Sequence, residues 1–152
     1  MSTAQPSAAD IAAGAVSATS APTDGDTADA LAQLADVAGH ASTGLFNYRR
    51  DNPAAPDLDQ ALNLEMTLDQ RAIDLRVQAV RLLGAQTAQA LAQMKDASQK
   101  VDAFLAGEKK IEGQLVIASA VIGLAGAALV GDAGGILAAV VSVHSALDAA
   151  KS

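Results

Sequence analysis

Residues 115–147, LVIASAVIGLAGAALVGDAGGILAAVVSVHSAL, contain one charged side chain, Asp132, and one histidine, His144. No other feature limits the fold as much, because a run this apolar has to be covered by protein or by lipid. It breaks at Gly131-Asp132-Ala133-Gly134-Gly135, which predicts two helices joined by a turn, an αα-hairpin. Ser119, Gly123, Ala127 and Gly131 recur every four residues in the first arm, and Ala138, Ser142 and Ala146 do the same in the second. Small residues at that spacing let helix backbones approach closely, so these two stripes are the expected packing face of the hairpin. Ile117, Val121, Leu124 and Ala128 make a bulkier side.

Length and composition leave the cover of this hairpin open between protein and bilayer. An arm from Leu115 to Gly131 is about 25 Å long at helical rise, slightly under the hydrocarbon thickness, and Ile136–Leu147 is shorter still. Eight Leu, Ile and Val residues in the first arm favour insertion by roughly 2.4–4.8 kcal/mol. Three glycines and a serine offset part of that. Lys109, Lys110 and Lys151 fall at the open end of the hairpin, where the positive-inside rule would keep both ends on one side.

The second constraint is a seven-residue repeat. Met66, Ile73, Val80, Thr87, Met94 and Val101 are seven apart, and Gln70, Val77, Gly84, Leu91, Ser98 and Leu105 follow four later in each repeat. That spacing predicts one long amphipathic helix over 58–112, with Asp57 or Asp59 as its cap. Its apolar positions Met66, Ile73, Val77, Val80, Leu91, Met94, Val101 and Leu105 are the expected oligomer seam. Leu68, Leu75 and Leu82 add a second stripe, so the first half of this helix needs two apolar neighbours. A helix of that length would extend for about 80 Å, more than the rest of the chain can cover, unless it breaks at Gly84 or Gly107 and folds back.

Upstream, residues 1–26 are rich in Ala, Ser, Thr and Pro and have too few branched apolar side chains to offset chain entropy, so a disordered tail is expected. A helix over 27–52 follows, capped by Thr27, with Leu31, Leu34, Val37 and Ala38 on one face; Pro53 and Pro56 end it in a linker at 53–57. Residues 113–152 then form the hairpin. The helical domain therefore covers 27–152, and the fold class is all-α.

Composition removes several functions. The chain has 17 acidic and 10 basic residues, a net charge of −7, and only 2% aromatics, so neither a phosphate grip nor a base-stacking platform for nucleic acid is present. With no cysteine there is no disulfide and no thiolate chemistry; this suits a cytoplasmic protein and equally one exported unfolded. The first twenty residues have no Lys or Arg and no sustained apolar run, so no signal peptide is expected. His40 follows Asp36 by four residues and His144 precedes Asp148 by four, but two ligands are too few for a closed metal site. GHASTG at 39–44 lacks the Lys-Ser/Thr of a phosphate loop, and no G-x-S-x-G elbow exists. LFNYRR at 45–50 reads as the last turn of the first helix, with Arg49 and Arg50 at the negative end of its dipole.

No catalytic residue, cofactor, metal or small-molecule substrate is assigned. The expected function is that of a non-enzymatic, homo-oligomeric helical protein whose apolar hairpin contacts membrane lipid or inserts in a pore-like way. In architecture alone this resembles α-helical pore-forming toxins and translocators. The alternative is a soluble oligomeric bundle or secreted filament subunit with the hairpin as its buried core.

Overall fold

The structure is a computed structural model that describes residues 24–78, 80–107 and 110–151; the tail expected at 1–26 lies almost entirely outside them. Among the described residues the fold is all-α, with five helices: α1 (Asp24–Asp51), α2 (Leu58–Val77), α3 (Thr87–Gly107), α4 (Ile111–Val130) and α5 (Ala133–Lys151). Helix α1 packs on α2, α3 and α4; α2 also meets α4, α3 meets α5, and α4 pairs with α5 as the hairpin. One apolar cluster draws residues from all five.

Alanine at close contacts is what makes α1 suitable as the shared helix. Ala30, Leu31, Leu34, Ala35, Val37, Ala38, Ala41 and Leu45 are buried, so a wide stripe faces neighbours and its small members allow close approach. The helix starts upstream of Thr27, which therefore lies inside it rather than capping it. It ends at Asp51 before Pro53, and the Asn52 side chain donates to the Tyr48 carbonyl at 3.0 Å. Asp57 stands at the N-cap position of α2, but its side chain caps nothing. Its carboxylate instead accepts a hydrogen bond from the Tyr48 hydroxyl at 3.0 Å, which ties the two ends of the α1–α2 turn together.

The single helix expected over 58–112 is corrected: the segment folds as α2 and α3, and the hairpin's first helix starts at Ile111 rather than after Gly113. Two glycines mark the breaks. Gly84 has φ +111, a value outside the helical range and open to glycine, and α3 ends at Gly107. Between α2 and α3, Gln78 leaves the helix in an extended conformation, and a strap of residues 80–86 reaches the hairpin through Leu83. The break lets α3 fold back and bury Leu91, Met94 and Val101, and Leu83 exchanges two backbone hydrogen bonds with the hairpin tip.

Breaking the helix also splits the seam. Downstream of Gly84, Leu91, Met94 and Val101 are buried in the chain's own core and Leu105 is half-buried. Upstream, the second stripe turns inward, with Leu68 and Leu75 buried and Leu82 partly so, while Met66, Ile73 and Val77 face solvent and Val80 is half-buried in the strap.

Candidate functional site

The hairpin forms as the sequence predicts, but its turn and its packing face differ from expectation. The turn is only Gly131-Asp132. Gly131 adopts the left-handed conformation at φ 84, and its N–H donates to the Ala127 carbonyl at 3.1 Å, the usual glycine closure of a helix. Asp132 then caps α5, its carboxylate accepting from the Gly135 N–H at 3.1 Å. Ala133, Gly134 and Gly135 are therefore the first turn of α5 and not part of the connection.

That shorter turn lengthens both arms. Helices α4 and α5 have 20 and 19 residues, so each is about 30 Å long and matches the bilayer core. The expectation of a second arm too short for lipid is corrected: the glycines that looked like a loop are held helical by the Asp132 cap.

The small stripes do not form the packing face. Ser119, Gly123, Ala138 and Ser142 are exposed, Ala127 and Ala146 are half-buried, and only Gly131 is buried. A methyl group at Gly123 would meet nothing within 4 Å. The bulkier side is the buried one: Ile117, Ala118, Val121, Leu124, Ala125 and Ala128 on α4, and Ile136, Val140, Val143 and Leu147 on α5. A five-helix body has large apolar side chains to receive, and burying them gains more than a close backbone approach between the arms alone.

What faces outward is unusual for a core hairpin. The mean hydropathy of the most apolar windows is 2.0 in α4 and 1.5 in α5, yet only 39% and 28% of those windows are buried. Val116, Val130 and Val141 are exposed beside the small stripe. Lys110 and Lys151 lie at the open end, and the turn carries Asp132.

The hairpin tip is latched to the body. The Leu83 N–H donates to the Gly131 carbonyl at 2.8 Å, and the Ala133 N–H donates to the Leu83 carbonyl at 3.1 Å, so the strap and the tip make a short parallel bridge. A Cβ on Gly131 would lie 2.7 Å from the Arg81 carbonyl oxygen. Glycine is needed here for its dihedral and for the clearance.

The polar candidates resolve into interhelical clamps. His40 does not pair with Asp36; its Nδ1 lies 2.6 Å from Asp102 on α3, while Asp36 accepts from Arg76 on α2 at 2.9 Å. These two pairs hold α1 to its neighbours at the rim of an open cleft of about 480 Å³. Ser98 lines the same cleft, and its hydroxyl is buried and makes no hydrogen bond to His40. His144 is half-buried on α5. Among the described residues no cluster of three or more His, Cys, Asp or Glu is placed to hold a metal.

In LFNYRR, Arg49 donates through Nε and Nη2 to the buried Glu65, the second bond being 3.0 Å, and stacks 5.8 Å above the Phe46 ring. The segment is the end of α1, as its sequence predicts, but the Glu65 partner was missed. Its signal was present: Glu65 falls among Ala61, Leu68, Ala72 and Leu75 on the buried face of α2, where a carboxylate needs a cation. No family model matches the chain, and no curated protein or solved structure is similar to it.

Proposed function

We propose that this is a non-enzymatic, self-assembling helical protein whose C-terminal hairpin associates with membranes. One observation carries the reading: two adjoining helices of bilayer-spanning length and high mean hydropathy have only 39% and 28% of their most apolar windows buried, with Val116, Val130 and Val141 exposed. The outer face presents Val116, Val130 and Val141 among small residues such as Ser119, Gly123, Ala138 and Ser142, with its charges, Glu112, Asp148 and Lys151, toward the open end, and it does so without any rearrangement of the bundle. Association in the docked state is therefore the first step; pore-like insertion further requires the tip to leave the strap. The net charge of −7 gives anionic headgroups no advantage, so the attraction is hydrophobic.

Flotation of the full chain with phosphatidylcholine vesicles, with and without phosphatidylglycerol, tests this. The chain is expected to float with both, and no better with the anionic ones. Val116→Asp together with Val141→Asp, both at exposed positions, should leave it in the soluble fraction with unchanged helicity. A wild-type chain that stays soluble with both vesicle types removes the membrane reading.

The alternative, a soluble oligomeric bundle or secreted filament subunit, draws on a different observation: the inner face of the hairpin is well buried and the largest group of exposed apolar side chains sits on α2.

A further inference from the structure

Four of the large apolar side chains that the fold leaves exposed lie on one helix. Leu62 is 38% exposed, Met66 62%, Ile73 54% and Val77 76%. At 3.6 residues per turn they fall within about 60° of arc on α2, on a different side from the buried Ala61, Leu68, Ala72 and Leu75. Solvated helices do not keep such a stripe without a use for it.

The spacing of the four is 4, 7 and 4 residues, which reads the same in both directions. Two copies of α2 laid antiparallel about a two-fold axis between residues 69 and 70 set Leu62 against Val77 of the partner, and Met66 against Ile73 of the partner. This occurs twice, by symmetry. A closed two-fold contact needs a self-complementary surface, and a palindromic stripe is one. The helix dipoles oppose in the antiparallel arrangement.

We infer that the chain forms an antiparallel homodimer through this face of α2. The inference deepens the self-assembly part of the proposed function and is independent of its membrane part. The chain's own first 23 residues do not match the face, since Ile11 and Val16 are their only branched apolar side chains against four positions to be covered. The axis has one unfavourable element. Asp69 borders the stripe there and faces Asp69 of the partner, so removing that charge should tighten the dimer.

The absence of cysteine makes the geometry directly testable. Sedimentation equilibrium of the full chain over a concentration series should give a dimer. Met66→Lys and Ile73→Lys should each weaken it by about 30-fold or more, with helicity retained because both sites are exposed in the monomer, and with Tm lowered only by the concentration-dependent share that the dimer supplies. Asp69→Asn should strengthen it. Under oxidation, Asp69→Cys should link to itself, and Leu62→Cys should link to Val77→Cys in a mixture but not to itself. A monomer at every concentration, a dimer indifferent to both lysines, or self-linkage of Leu62→Cys as efficient as that of Asp69→Cys overturns the proposal. Flotation of Met66→Lys separates the two readings. If it floats as the wild type does, loss of the dimer leaves the membrane reading intact; a dimeric wild type that does not float has the reverse meaning.

Discussion

Two glycines in the hairpin look alike in the sequence and have opposite physical roles. Gly131 holds φ 84 with the Arg81 carbonyl 2.7 Å from where a Cβ would be, so Gly131→Ala combines left-handed strain with a backbone clash. It should cost at least about 2 kcal/mol in urea unfolding and speed amide exchange at Leu83 and Ala133, whose hydrogen bonds form the latch. Gly123 is in mid-helix with open space around it. Gly123→Ala should therefore stabilise by about 0.5–1 kcal/mol, seen as a higher Tm, because only the helix-propensity cost of glycine is removed. Had the small stripe been the packing face, the same substitution would destabilise. The stripe was legible in the sequence, but its direction was not. Periodicity reports which residues share a face, and which face wins the core depends on the large side chains arriving from α1, α2 and α3.

At the scale of elements, the α1–α2 turn has a built-in reporter, since Tyr48 is the only tyrosine and there is no tryptophan. Burial raises its phenol above the ordinary value of 10.0, and the hydrogen bond to Asp57 and the charges of Asp57 and Glu112 add to the rise. A raised value in the folded state means the protonated phenol stabilises the fold. That contribution is complete below pH 10 and is lost as pH climbs from there through the raised value. Phenolate absorbance should titrate above 10 in the native protein, and Asp57→Asn should bring the midpoint part of the way back, leaving the share due to burial. The turn itself was readable from Pro53 and Pro56. The break between α2 and α3 was only half readable: Gly84 marked a weak point, but the bonds that decide the matter join Leu83 to residues nearly fifty positions away. A heptad pattern is local and continues through such a site without change. In α2 the leucine stripe was a better guide to the inward face than the heptad stripe beside it, which faces outward there and inward in α3.

For the whole molecule, the proposed membrane association depends on how a hairpin that is half core and half exposed would meet a bilayer. Lying flat needs no rearrangement, since Val116, Val130 and Val141 already stand on the outer face of α4 and α5. Insertion requires Ile117, Val121, Leu124, Ile136 and Val140 to leave the core together, and the two backbone hydrogen bonds between strap and tip must break first. Joining the strap to the tip covalently separates these steps. Leu83 and Asp132 are bridge partners, so Leu83→Cys with Asp132→Cys places two thiols side by side in a chain with no others. Gly135 loses its Asp132 acceptor in this variant, a cost of about 1 kcal/mol that is the same in the oxidised and reduced forms, so the two can be compared directly. The oxidised protein should float with phosphatidylcholine vesicles as the reduced one does but release no entrapped dye, and reductant should restore release. Equal release from both forms would mean that the tip never leaves the strap during permeabilisation. Loss of flotation on oxidation would place the lipid contact on the inner face of the hairpin instead of the valine-lined outer one.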